Sequence, residues 1–184
     1  MRLAAVLFPI TLLIMAGCAS VSGVVTGTTG SRAGAKTPDI QYTTAEGHSA
    51  SFNWARCPVA LVAFTATEGP AGAGVDPHVA DLADRLGDLP VTVAQLSLPP
   101  EGRSLGLSPE ALPRKSGMMF LYDADRLAWN AYGHPAPGDM FLIGNDGDIV
   151  MAGSLNDPEP ILQEARRLGE VEQQQREIEK GLGG

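Results

Sequence analysis

Hydrophobic and polar positions follow two periods along the chain, and the switches between them mark out the elements. From Ile40 to Thr44 apolar and polar residues alternate, Glu46-Gly47 interrupts, and Ala50-Ser51-Phe52 resumes, which predicts a hairpin. Val59-Ala60-Leu61-Val62-Ala63-Phe64 is an unbroken apolar run, the pattern of a strand buried on both faces. Asp76-Pro77 then supplies an N-cap and a first-turn proline. Val79, Leu82, Ala83 and Leu86 share one face of a 3.6-residue period, and Gly87 closes that helix. A second buried strand runs from Val91 to Leu98, and Ser108 to Leu112 reads as one helical turn stopped by Pro113. Met118 to Tyr122 is a further strand, Asp125 to Tyr132 a short helix, and Phe141 to Met151 a hairpin about Gly144-Asn145-Asp146-Gly147. Asp157-Pro158 opens the last helix, with Ile161, Leu162, Ala165 and Leu168 inward. Past Gly169 the run Glu172-Gln173-Gln174-Gln175-Arg176 is polar all round, so the tail is expected to fray. Strand–helix–strand first, then a hairpin and a terminal helix, is an α/β layout with a central mixed sheet flanked by helices.

The N-terminus follows neither period. Arg2 supplies a positive charge, and Leu3 to Met15 is apolar except at Pro9 and Thr11. That run is too short for a spanning helix, which needs about 20 residues. It ends in Met15-Ala16-Gly17-Cys18, which resembles the bacterial lipobox, with Met in place of the common Leu. The resemblance implies a signal peptide over residues 1–17 and acylation of Cys18, a palmitate-type membrane anchor. Residues 18–36 follow as the lipidated cysteine and a Gly-, Ser- and Thr-rich tether. Its reach is roughly 24 Å on the scaling of a Gly/Ser-rich coil. A first edge strand through Val24 and Val25 is the alternative. Ala19 is not the Asp that marks inner-membrane retention, which leans the expectation toward the outer membrane.

Residues 37–184 remain for one domain, enough to bury roughly 70% of the unfolded surface without disulfide staples. Apolar content of 44% and charged content of 18% exclude wholesale disorder and a multi-span membrane protein. Setting aside Arg2, Arg32 and Lys36 leaves 10 cations against 21 anions, a net charge of −11 on the domain. Nucleic acid as the main partner is excluded on charge. Two cysteines make neither a disulfide scaffold nor a Cys-only zinc site.

The order of these elements, together with particular residues, resembles the thioredoxin-like redoxins. The branch concerned is that of membrane-tethered thioredoxins and alkyl hydroperoxide reductase-like proteins. Thr37-Pro38-Asp39-Ile40 stands for the family's opening Ala-Pro-Asp-Phe segment, Glu46-Gly47-His48 for its Gly-centred hairpin, and Ala60 to Phe64 for its Val-Leu-Val-Asn-Phe strand. Leu121-Tyr122-Asp123-Ala124-Asp125 and Ala131-Tyr132-Gly133 match its later turn and helix end. Phe141-Leu142-Ile143-Gly144-Asn145-Asp146-Gly147-Asp148-Ile149-Val150 matches its Phe-Leu-Ile-Asp-x-Asp-Gly-x-Ile-Val hairpin. The likeness covers nearly all of residues 37–168 and implies a thioredoxin-like fold.

The same alignment removes the family's chemistry. Where redoxins read Trp-Ala-Thr-Trp-Cys-x-x-Cys, this chain reads Thr65-Ala66-Thr67-Glu68-Gly69-Pro70-Ala71-Gly72, so Gly69 and Gly72 fill both cysteine slots. Thiol–disulfide exchange needs a thiolate at a helix start and a resolving thiol beside it, and glycine supplies neither. A peroxidatic cysteine would lie in this loop too. The family's cis-proline slot falls on Gly138, with Pro137 one position earlier and His134 in the same loop, which the resemblance turns toward Gly69–Gly72. The copper chaperones of the family need two cysteines plus a histidine, and only His134 is available, so no metal is expected.

Cys57, in Arg56-Cys57-Pro58, is the thiol left after Cys18 is acylated. It reads as an inert, structural cysteine at the head of a buried strand, or as a reactive thiol assisted by Arg56. His48 and His78 share no metal-like spacing with it. Gly69, Gly72 and Gly74 lack the spacing and the Lys of a phosphate loop, and Glu68 and Asp76 would repel an anion. Met118, Met119, Met140 and Met151 could suggest a soft-metal site, but three of them lie in apolar strands, where core packing explains them more simply. No catalytic residue and no cofactor are expected. The functional expectation is a lipid-anchored envelope lipoprotein, facing the periplasm or exterior, whose redox-inactive domain binds or scaffolds an envelope protein. The alternatives are an oxidoreductase or peroxidase-like antioxidant protein using Cys57, and a purely structural envelope lipoprotein.

Overall fold

In the computed structural model, which describes residues 33–37, 39–43, 49–66, 74–98, 117–123 and 126–182, the apolar run around Leu61 becomes the central strand of a five-stranded sheet. Cys18, Val24, Val25, His48, Glu68, Gly69, Pro70, Ala71, Gly72 and the expected turn at Ser108–Leu112 lie outside the described residues. Strands β1 (Ile40–Thr43) and β2 (Ser49–Phe52) pair antiparallel as a ribbon of their own, with Ile40 opposite Phe52. A 3-10 turn at Trp54–Arg56 leads into β3 (Val59–Ala66), and α1 (Pro77–Arg85) crosses to β4 (Val91–Leu98). Then come β5 (Met118–Tyr122), α2 (Leu127–Ala131), β6 (Asp139–Ile143), β7 (Ile149–Ser154) and α3 (Glu159–Leu182). The sheet order is β5-β4-β3-β6-β7; β3, β4 and β5 run parallel, while β6 runs antiparallel to both its neighbours, β3 and β7. The central mixed sheet with flanking helices is as expected.

Alternation along β3 sorts the core into two layers. Leu61 and Ala63 pack with Val79, Leu82, Leu86, Ile161, Leu162 and Ala165 under α1 and α3. Val62 and Phe64 pack on the other face with Ile40, Trp54, Ala128, Tyr132 and Phe141. Each fully buried Leu, Ile or Phe contributes roughly 1.5–3 kcal/mol over an exposed one, so both faces of the sheet are strongly covered. Met140 is buried, and Met118, Met119 and Met151 pack against the core, as expected.

Asp76 caps α1 as expected, its Oδ1 accepting from the backbone N–H of His78 at 2.8 Å and Val79 at 3.4 Å. Helix α2 starts later than the pattern suggested. Arg126 sits at φ 55, outside helical space, so the helix begins at Leu127. Its first free N–H groups, on Ala128 and Trp129, are taken by the Asp123 carboxylate from the end of β5, at 3.2 and 2.8 Å.

The C-terminal tail departs from expectation. It does not fray after Gly169; α3 continues to Leu182. Its residues are strong helix formers, and Arg176 pairs with Glu172 one turn earlier at 3.1 Å. Gly169 does not end the helix but lets it approach the sheet. A Cβ there would lie 2.8 Å from Val91 Cγ2 and 3.1 Å from Leu89 Cβ. No helix among the described residues is long and apolar enough to cross a membrane.

Candidate functional site

The parallel strands give the sheet two unlike ends. At the C-terminal end of β3 and β4 three polar side chains are almost fully buried: Thr65, Gln95 and Ser97 at 4%, 2% and 1% exposure. Register places Thr65 beside Ser97, and Gln95 lies two residues earlier on the same face. The Gln95 amide nitrogen donates to the Gly74 carbonyl at 3.1 Å and to the hydroxyls of Thr65 and Ser97 at 3.1 and 3.2 Å. Its oxygen accepts from the Asp76 N–H at 2.9 Å, and the two hydroxyls lie 3.1 Å apart. Buried polar groups cost stability unless partnered, so a satisfied amide here fixes the chain strongly at residues 74–76. Those residues follow residues 67–73, which lie between β3 and α1 in sequence and which the resemblance aligns with the thiols of redoxins.

The facing loop, residues 133–138, is held as firmly. The Gly138 N–H donates to the Phe64 carbonyl at 2.7 Å and the Gly138 carbonyl accepts from Leu155 N–H at 2.7 Å. Gly138 takes φ 97, a left-handed conformation that suits glycine. No described peptide bond is cis, that before Pro137 included, and Pro137 is exposed. His134 sits at φ 66 with its ring on Trp129, 4.2 Å between centroids, and its Nε2 is 3.0 Å from Asn130 Oδ1. The Trp129 indole N–H donates to the Pro135 carbonyl at 2.9 Å. His134 is thus engaged with α2 and the aromatic ring. Asp139, at the base of this loop, accepts from Ala136 N–H at 2.7 Å, and burial pushes its carboxyl above the ordinary carboxylate range.

Cys57 lies at the other end. It is a free, half-buried thiol packed against the Trp54 side of the core, just before β3. Seven residue steps from Val59 to Ala66 at ~3.3 Å make β3 roughly 23 Å long, so Cys57 lies at least that far from the finishing end of the strand. Its neighbour Arg56 is exposed. His78 is exposed on α1. Among the described residues no group of three or more His, Cys, Asp and Glu side chains is placed to hold a metal ion.

Gly138, His134 and Pro137 thus lie at the finishing end of β3, and Cys57 lies before its start. Sequence reasoning passed over Thr65, Gln95, Ser97, Asp123 and Trp129. The signal was present: Gln95 and Ser97 are polar interruptions at a two-residue spacing in an otherwise apolar strand.

No family model and no curated relative matches the chain. Solved structures do. BsSco, a member of the Sco family of cytochrome c oxidase assembly proteins, is 16% identical with a TM-score of 0.51 over 77% of this chain and 98% of its own. A SCO1/SenC family lipoprotein from Bacillus anthracis is 16% identical with a TM-score of 0.50 over 73% and 95%. A candidate thiol:disulfide interchange protein DsbE from Chlorobium tepidum is 16% identical with a TM-score of 0.50 over 67% and 86%. At these identities the likeness is one of fold, and the fold of this chain is thioredoxin-like.

Proposed function

We propose that the protein is a lipid-anchored lipoprotein of the bacterial envelope whose thioredoxin-like domain is redox-inactive and works as a binding or scaffolding module. One observation carries the reading. The residues that join β3 to α1, Thr67-Glu68-Gly69-Pro70-Ala71-Gly72-Ala73, contain no thiol, and Cys57 starts roughly 23 Å away along the strand. What holds Gly74 and Asp76, just past that segment, is the neutral, hydrogen-bonded Gln95 amide, which neither exchanges disulfides nor accepts a proton at neutral pH. The SCO1/SenC family lipoprotein supports an anchored setting for such a fold, as does Ala16-Gly17-Cys18. The partners on this reading are membrane lipid, through acylated Cys18, and an envelope protein.

Wild-type protein should reduce insulin in dithiothreitol no faster than dithiothreitol alone, and should consume hydroperoxide no faster than Cys57→Ser. Acceleration that Cys57→Ser abolishes would instead establish a one-cysteine enzyme. Radiolabelled palmitate should enter the wild type and not Cys18→Ser, which should also leave the membrane fraction. Equal labelling of the Ser variant would remove the anchor.

A further inference from the structure

The segment that arrives from the N-terminus is bound to one particular end of the domain. Gly34 N–H donates to the Ile149 carbonyl at 2.7 Å, and Ile149 N–H donates to the Ala35 carbonyl at 2.9 Å. Thr37 N–H donates to the Gly147 carbonyl at 2.8 Å, and Lys36 pairs antiparallel with Asp148. The Lys36 ammonium reaches Asp148 Oδ1 at 2.7 Å and the Asp146 carbonyl at 3.1 Å. Residues 34–37 are thus strapped to the turn joining β6 and β7. That turn stands at the start of β3, since Ile143 pairs with Ala60, whereas the loop 133–138 stands at its finish, since Gly138 bonds Phe64. Six steps along β6, from Gly138 to Gly144, separate the two by roughly 20 Å.

We infer that this strap orients the anchored domain: the β6–β7 turn and Cys57 face the lipid, and the end built on Gln95 and loop 133–138 faces away from it. The inference rests on anchoring at Cys18 and goes beyond it, because an anchor alone leaves orientation open. Chain between Cys18 and the strap is short. Residues 19–33, Gly-, Ser- and Thr-rich, have a reach of roughly 21 Å, comparable with the distance between the two ends. Were the segment to enter at the other end, the same length would turn the thiol-free site toward the headgroups. As built, the surface that would meet an envelope protein stays clear of the bilayer.

The test uses the full-length lipoprotein in phosphatidylethanolamine–phosphatidylglycerol vesicles containing a lipid-linked fluorescent acceptor. A donor dye is placed on single cysteines in a Cys57→Ser background: Asp88→Cys and Asn145→Cys at the strap end, Ala136→Cys and Asn156→Cys at the other. All four positions are exposed, so two at each end guard against one variant failing to fold. Energy transfer to lipid should be greater by about twofold or more from 88 and 145 than from 136 and 156, given a separation of about 20 Å. Equal transfer from both ends, or greater transfer from 136 and 156, in protein that floats with the vesicles would overturn the orientation alone. Failure to float would overturn the anchoring and the orientation together.

Discussion

At the end of the sheet where β3 begins, Trp54 and the Cys57 side chain pack among apolar groups, Gly169 lets α3 close on Leu89 and Val91, and Lys36 clasps the β6–β7 turn. At the end where β3 finishes, Thr65, Gln95, Ser97 and Asp123 are buried and hydrogen-bonded, and Gly74, Asp76 and Gly138 are tied down through them or beside them. Among the described residues, one end thus holds the thiol among apolar side chains, and the other holds the buried polar cluster. A thioredoxin-like enzyme needs both at one place, next to a helix start that stabilises the thiolate. On the proposed reading, this separation counts against redox chemistry as much as the missing cysteines do.

The comparison breaks first at Gln95. Gln95→Leu should cost about 2–4 kcal/mol in urea unfolding, because the Asp76 N–H, the Gly74 carbonyl and two hydroxyls lose a buried partner. Cys57→Ala, removing one half-buried sulfur, should cost less than about 1.5 kcal/mol. A larger loss from Cys57→Ala would mean that the thiol end, not the polar end, is the more finely built.

Gly169 sharpens the other side. Alanine is favoured over glycine inside a helix by about 1 kcal/mol, but a Cβ at 2.8 Å from Val91 Cγ2 forces repacking that costs about 1–3 kcal/mol. Packing should win, and Gly169→Ala should be destabilised by about 1 kcal/mol net. Gly181→Ala, with no atom within 4 Å, should be neutral or slightly stabilised. If both behave alike in thermal melts, α3 does not rest on the sheet at Gly169.

The smallest effect is a difference in sign with pH. Asp139, raised by burial, contributes a loss of stability as pH rises from the ordinary carboxylate pKa through its folded one. Asp146, lowered chiefly by the Asp148 backbone N–H, contributes stability above the ordinary pKa that is lost as pH falls through its folded one. On acidification from neutral, Asp139→Asn should therefore remove a small gain and Asp146→Asn a small loss. Matching pH profiles for the two variants would contradict the electrostatic difference between the ends.

Elements with strong local signals were legible in the sequence. The apolar run of β3, the Asp76-Pro77 cap and the glycine-rich turn before β7 each have one local solution, and each formed as read. Alternatives settled by tertiary contact were not. Gly169 looks like a helix end because glycine usually ends helices, and only the approach of Leu89 and Val91 from a distant strand explains it otherwise. Arg126 gave no sign of its left-handed backbone, since the Asp123 carboxylate that caps α2 stands four residues before the helix rather than at its N-cap position. Of the candidate site, the absence of thiols at Gly69 and Gly72 could be read directly. The Gln95 cluster required knowing which strands lie side by side.

The register of the thiol-free loop is the claim on which the account turns, and grafting the family's chemistry onto it is the direct measurement. Gly69→Cys with Gly72→Cys, made in a Cys57→Ser background, should form an intramolecular disulfide under mild oxidation. The α-carbons must lie within about 7 Å for that bond. The double variant should then reduce insulin measurably, while the parent stays silent. A variant that is folded by circular dichroism yet keeps both thiols reduced in oxidising buffer would show that Gly69 and Gly72 do not occupy the cysteine positions. The argument for a lost redox site would fall with it.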